Sequence, residues 1–124
     1  MTTYVEVGVM KNQFEGKVLD LGEIKKAQKL NEYSADTTSV LNILAAWLEY
    51  ILAKMFKGRK IPVRVRGTRL EVTRFTDALI AEKRYMIAVK KYGLDDPMTY
   101  KNKSRLDVAI KRFERETGIN WPLR

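Results

Sequence analysis

Apolar and polar residues alternate at the start of the chain, where Val5, Val7 and Val9 share one side. A period of two predicts a strand, because successive side chains of a strand point to opposite faces. A second strand is predicted at about Lys17 to Leu21, so the two strands are expected to form a hairpin. From Glu23 to Tyr33 the apolar residues instead recur at helical spacing, which predicts a short helix.

The segment from Thr37 to Phe56 predicts the strongest helix of the chain. Apolar residues cover more than half of its circumference, and a helix of that kind is buried on two sides. The residues form two neighbouring rows, Val40, Leu44, Trp47 and Ile51, and Leu41, Leu48, Leu52 and Met55. We therefore expect the central helix of the core. The alternative is a subunit interface formed by Trp47, Leu48 and Ile51.

The same helix is long enough to span a bilayer. However, Asn42, Glu49 and Lys54 interrupt it, and an ionised group near the centre of a bilayer costs about 2.5–3.5 kcal/mol. We therefore expect a soluble core helix and no membrane partner. The N-terminal sequence MTTYVEVGVM has no basic leader followed by an apolar run, so no signal peptide is expected.

A strongly basic segment, KGRKIPVRVRGTR, runs from Lys57 to Arg69 with six Lys or Arg and no acid. Within it three apolar residues alternate with three basic ones, which predicts a third strand with one apolar and one basic face. The apolar set is Ile61, Val63 and Val65, and the basic set is Lys60, Arg64 and Arg66. Pro62 cannot donate a ladder hydrogen bond, so it lies at the sheet edge or begins the strand.

The next helix is predicted by its first residues. Thr68 with Glu71 three residues later is a capping box, and the helix that it begins is expected to run to about Tyr92. Gly93 ends it, because glycine adopts the left-handed conformation that commonly follows a helix.

The last helical region carries a second cap. Asp96 before Pro97 matches an N-cap with proline at the first helical position, and we expect one short turn of helix there. A separate helix is expected after Ser104, ending at Gly118. Trp121 in the tail is expected to dock on the core.

These elements predict one α+β domain over residues 1–124. A small three-stranded, partly antiparallel sheet is packed with four helices in the order ββααβαα. Residues 1–56 would supply a near-neutral hairpin and core helix, and residues 57–124 a strongly basic half of strand, helix and helix.

Missing residue types narrow the chemistry. The chain has no Cys and no His, so disulfides, thiolate metal sites and catalytic triads that use His are excluded. No phosphate loop or dinucleotide fingerprint is present. We therefore expect no enzyme, no cofactor and no metal. The lack of Cys fits a reducing compartment, so we expect the cytoplasm, or the host cytoplasm if the protein is viral, an origin that no motif supports.

Charge is distributed very unevenly along the chain. Residues 1–56 contain six Lys, no Arg and seven acids, a net charge of −1. Residues 57–124 contain eighteen Lys or Arg and eight acids, a net charge of +10. All ten arginines lie in the second half. Such asymmetry indicates an anionic partner for one part of the molecule, and arginine suits phosphate because its guanidinium group is planar.

The sequence therefore predicts a non-enzymatic, nucleic-acid-binding accessory protein. Alternate strand residues are roughly 6.5–7 Å apart, a spacing that lets a row of cations follow a DNA or RNA backbone. Basic residues of the two following helices would add to the strand. The candidate anion-binding residues are Lys57, Arg59, Lys60, Arg64, Arg66 and Arg69, and the candidate base-stacking residues are Tyr85, Tyr92 and Tyr100.

Two alternatives remain open at this point. The basic groups could instead pair with Glu6, Glu15 or Glu71 within the molecule. The protein could also be an interaction, inhibitory or assembly module, whose basic face binds an acidic protein or whose helix at residues 37–56 forms a homo-oligomer.

Overall fold

Two short strands and four helices make up the part of the chain that the computed structural model describes, residues 17–31, 38–58 and 63–123. In chain order the elements are β1 (Val18–Asp20), α1 (Leu21–Asn31), α2 (Thr38–Met55), β2 (Arg64–Arg66), α3 (Arg69–Tyr92) and α4 (Pro97–Thr117). None of the helices in these ranges has the length and apolarity needed to cross a membrane.

The predicted three-stranded, partly antiparallel sheet is wrong. In the described residues the sheet has two strands, and β1 pairs with β2 in parallel. The physical reason is the connection: α1 and α2 lie between the strands, and a long helical crossover is what parallel strands require. The first predicted strand, around Val5 to Val9, lies outside the described residues. The order ββααβαα is therefore replaced by a helical fold with a minimal sheet.

The register of the two strands determines which side chains reach the core. Leu19 lies opposite Val65, and this pair faces inward, with Leu19 buried and Val65 half-buried. The pairs on either side, Val18 with Arg64 and Asp20 with Arg66, lie on the other face. The predicted alternation of the basic strand is thus confirmed over residues 63–66, while residues 59–62 lie outside the described ranges.

The predicted capping box of α3 is confirmed. The Thr68 hydroxyl accepts a hydrogen bond from the Glu71 amide at 3.1 Å, and the Glu71 carboxylate accepts one from the Thr68 amide at 2.8 Å. The helix ends at Gly93 as predicted, but the φ of 85° and ψ of 169° of Gly93 lie outside the left-handed helical conformation that was expected there. The positive φ is still unfavourable for any residue other than glycine.

The last helix differs from its prediction in where it begins. The Asp96 carboxylate accepts a hydrogen bond from the Met98 amide at 2.8 Å, and Pro97 occupies the first turn, so this cap is confirmed. However, α4 continues without a break to Thr117. The separate start predicted after Ser104 is wrong, because the cap already nucleates the helix and no Gly or Pro lies between residues 98 and 117 to stop it.

Helices α3 and α4 form an antiparallel pair joined by the turn at residues 93–96. Near this turn the buried Thr99 hydroxyl donates a hydrogen bond to the Gly93 carbonyl at 2.6 Å, and it lies 3.3 Å from the Ala88 carbonyl. At the other end the Arg74 guanidinium group binds the Glu116 carboxylate. The two helices are thus tied together along their length.

One hydrophobic core joins α2 and the β1–α1 segment to α3, α4 and the C-terminal tail. Trp121 is 2% exposed and contacts Phe75 and Phe113 at centroid distances of 6.1 and 5.4 Å. Its indole Nε1 donates a hydrogen bond to the buried Glu82 at 3.0 Å, and its amide donates one to Glu114 at 2.8 Å. The predicted docking of Trp121 on the core is confirmed.

Gln28 of α1 also binds the C-terminal tail, through two hydrogen bonds. Its Nε2 donates a hydrogen bond to the Gly118 carbonyl at 2.7 Å, and its Oε1 accepts one from the Asn120 amide at 2.9 Å. The nitrogen and the oxygen of the Gln28 side-chain amide therefore both bind the tail, which is about ninety residues away in sequence.

We expect Trp121→Ala to lower the free energy of unfolding by about 3–5 kcal/mol, because it removes a buried ring and leaves a cavity between α3 and α4. Urea unfolding followed by circular dichroism measures the change. Tyr100→Ala is the control: Tyr100 is 56% exposed, so its loss should change stability by less than about 0.5 kcal/mol. Equal effects of the two variants would contradict the assignment of Trp121 to the core.

We expect Gln28→Ala to accelerate hydrogen exchange at the Asn120 amide, since this substitution removes the acceptor of that amide. The net loss of stability should be small, about 0.5–1.5 kcal/mol for each hydrogen bond. Exchange at the Gly93 amide, which bonds to Val89 far from α1, serves as the internal reference. An unchanged Asn120 rate would show that Gln28 does not hold the tail.

Candidate nucleic-acid interface

The outer face of β2 carries the two arginines that the alternation predicted. Arg64 and Arg66 are both exposed, and they are two residues apart on the same side of the strand. Arg66 Nη1 lies 3.8 Å from Asp20 Oδ2, and the Arg66 side chain is 74% exposed. An ion pair that is so exposed to solvent contributes little to stability, about 0–1 kcal/mol. It therefore does not prevent Arg66 from binding another anion.

Asp20 has its own structural role. Its Oδ1 accepts hydrogen bonds from the amides of Gly22 and Glu23 at 2.9 and 3.2 Å, which caps the start of α1. Within the described ranges Arg64 takes part in no ion pair. Glu71, an acid predicted as an alternative partner, is instead used by the capping box of α3, whereas Glu6 and Glu15 lie outside the described residues.

The remaining predicted anion-binding residues flank this strand. Lys57 is exposed directly after α2, and Arg69 is exposed in the first turn of α3. Arg59 and Lys60 lie outside the described residues.

Helices α3 and α4 add two rows of exposed side chains. Residues three and four apart lie side by side on a helix, and each row follows that spacing with every member exposed. The α3 row is Arg69, Thr73, Asp77, Ile80, Arg84, Ile87 and Lys91, and the α4 row is Met98, Lys101, Arg105, Val108, Arg112 and Arg115. The α4 row contains four cations and no acid, and it spans roughly 21 Å from Lys101 to Arg115 at a rise of about 1.5 Å per residue.

A groove of about 350 Å³ lies between the two rows. Asp77, Ile80 and Arg84 of the α3 row line it, and Arg105 of the α4 row lines it from the other helix. Because members of both rows border one groove, the rows face the same side of the molecule. We call the two rows together the basic face.

Acids of the second half are mostly engaged inside the fold. Of the eight, six have an internal partner: Glu71 and Asp96 cap helices, Glu82 and Glu114 hold Trp121, and Asp77 and Glu116 bind Arg74. Hydrogen bonding to Glu116 raises the pKa of the Arg74 guanidinium group above its ordinary value. Apart from Arg74, the cations of α3 and α4 take part in no ion pair among the described residues, so their charge faces solvent.

Two of the three candidate stacking residues are exposed. Tyr92 and Tyr100 lie on either side of the turn between α3 and α4, and they are 43% and 56% exposed. Lys91 Nζ lies 5.3 Å from the centroid of the Tyr92 ring. Tyr85 is half-buried and packs against the core, so it is less suited to stack on a base.

The three candidate interface residues of α2 lie mostly inside the chain. Leu48 and Ile51 are fully buried in its own core, and Trp47 packs partly buried against that core. Their apolar surface is thus largely covered without a second copy of the chain.

Sequence reasoning placed basic residues of the last two helices in the interface without identifying them. The spacing of Lys101, Arg105, Arg112 and Arg115 was visible in the sequence as a helical row. The groove was not, because it depends on how α3 and α4 pack. As for metal sites, the described ranges contain no cluster of three or more acidic side chains that could hold an ion.

The candidate interface therefore consists of two exposed arginines on β2 and a basic, grooved face on α3 and α4. Comparisons of the chain with models of protein families, with curated proteins and with solved structures gave no match.

Proposed function

We propose that the protein is a non-enzymatic, nucleic-acid-binding accessory protein that contacts the phosphate backbone through strand β2 and the basic face. The observation that supports this most strongly is that most acids of residues 57–124 are paired within the fold, while several arginines are exposed and, within the described part of the chain, unpaired. Six of the eight acids of residues 57–124 have internal partners, whereas Arg64, Arg84 and Arg105 are exposed without an ion pair among the described residues.

Backbone binding follows from this arrangement. Each phosphate that a Lys or Arg neutralises releases counterions, so affinity falls as salt rises. Phosphate contacts fix position and orientation but read no sequence. The proposed activity is therefore salt-sensitive binding with little preference among sequences.

We expect Arg64→Gln combined with Arg66→Gln to weaken binding to every nucleic-acid sequence about equally. The slope of log affinity against log salt should fall by roughly 1.4–1.8, because each phosphate that an arginine no longer neutralises lowers it by about 0.7–0.9. Fluorescence polarisation of labelled oligonucleotides, titrated at several salt concentrations, measures both quantities.

The matched control removes the same charge elsewhere. Lys103 and Lys111 are exposed on α4 but belong to neither row, so Lys103→Gln with Lys111→Gln should change the slope much less. A wild-type affinity that does not respond to salt would rule out the proposed function.

An acidic protein is the second candidate partner, and exposed apolar residues within and next to the basic face favour it. Leu94 is 64% exposed at the turn after α3, and Met98 is 44% exposed at the start of α4. Interfaces between proteins often combine arginine with methionine and aromatic side chains. Polyglutamate is a suitable probe: binding to it as tight as to an oligonucleotide at the same salt would favour this candidate.

We expect Trp47→Ala to lower the free energy of unfolding by about 1–3 kcal/mol without changing the sedimentation coefficient. The reason is that Trp47 packs against the chain's own core. Sedimentation velocity over a range of protein concentrations provides the measurement. A wild-type coefficient that rises with concentration, and that Trp47→Ala returns to the monomer value, would instead support the homo-oligomer.

A further inference from the structure

The groove between α3 and α4 combines apolar and cationic walls. Ile80 and Ala81 supply the apolar part, and Arg84 and Arg105 project from opposite helices. We infer that this groove takes one base of a single-stranded nucleic acid, with the flanking phosphates held by the two arginines. The inference rests on the proposed function and adds to it the form of nucleic acid that is bound.

Charge complementarity is the first argument for this occupant. Among the described residues neither Arg84 nor Arg105 has an ion pair, so both remain available to an incoming anion. Asp77 is the acid in the groove wall, and with Arg84 and Arg105 it leaves the wall a net charge of +1. Arg74 Nη1 lies 3.6 Å from Asp77 Oδ2 but also binds Glu116. A guanidinium group can hold a phosphate with two parallel hydrogen bonds and can also lie flat against a base.

Size and shape are the second argument. A volume of about 350 Å³ is at the small end of ligand pockets, which suits a single nucleotide. The bases of a duplex are paired and stacked, whereas those of a single strand are free to leave the stack. A groove that admits one base therefore discriminates in favour of single strands.

The third argument is that the groove lies within a longer track. The cations of the α4 row extend to both sides of Arg105, from Lys101 to Arg115. The exposed rings of Tyr92 and Tyr100 flank the turn beyond Lys101, outside both rows. Proteins that bind single strands combine a cationic groove with stacking platforms.

The experiment compares two pairs of charge-neutralising substitutions in the chain of residues 1–124. Arg84→Gln with Arg105→Gln removes the groove arginines, and Lys103→Gln with Lys111→Gln is the control on exposed positions outside both rows. The probes are a labelled single-stranded oligothymidylate and a DNA duplex of equal length. We expect the groove pair to weaken binding to the single strand roughly tenfold, with a much smaller effect on the duplex and a small effect of the control pair on either probe.

A second comparison tests the apolar wall without changing charge. Ile80 lines the groove, whereas Met86 of α3 lies outside the groove and outside both rows; each is 36% exposed. Ile80→Ser should reduce the preference of the protein for oligothymidylate over an abasic strand of equal length. Met86→Ser should leave that preference unchanged, because only a base, and not the backbone, would contact the side chains that line the groove.

The outcomes separate this inference from the proposed function. If the wild-type chain binds no nucleic acid at low salt, the proposed function fails and the inference fails with it. If it binds and Arg64→Gln with Arg66→Gln weakens binding, while the groove and control pairs behave alike, the inference alone is overturned. Equal losses on single strand and duplex, or equal effects of Ile80→Ser and Met86→Ser, also overturn it.

Discussion

The position of Trp121 is the constraint on which the rest of the structure depends. Its ring packs against Phe75 of α3 and Phe113 of α4, so a residue of the tail joins the two longest helices. The indole N–H of a buried Trp also needs a hydrogen-bond acceptor, and Glu82 accepts this hydrogen bond at 3.0 Å. Because these partners come from both helices, Trp121 sets how α3 and α4 lie against each other.

The alignment of α3 with α4 in turn creates the basic face. The inward side of the helix pair carries the apolar residues. Glu82, Glu114 and Glu116 make their hydrogen bonds and ion pair within the fold. The outward rows keep Arg84 and Arg105 on either side of one groove. The same packing that stabilises the hairpin therefore concentrates positive charge on its outer side, so stability and the candidate interface have a common origin.

Local signals predicted most of the helices and failed on the sheet. The capping box at Thr68 and the cap at Asp96 depend on residues within three positions of each other, and both form as predicted. Pairing of β1 with β2 joins residues more than forty positions apart. A period of two shows that a strand is favoured but carries no information on its partner or direction, so the predicted three-stranded, partly antiparallel sheet was an error of topology.

By itself, the sequence determined the helix boundaries set by caps, the alternation around Arg64 and Arg66, and the concentration of charge in residues 57–124. These follow from local chemistry, because each depends on neighbours along the chain. Only the tertiary structure decided that the strands are parallel, that Leu48 and Ile51 are internal, and that Arg84 faces Arg105 across a groove. The reason is that these features depend on packing between distant segments. Even for Trp121 the sequence predicted docking on the core but not its contacts with Phe75 and Phe113.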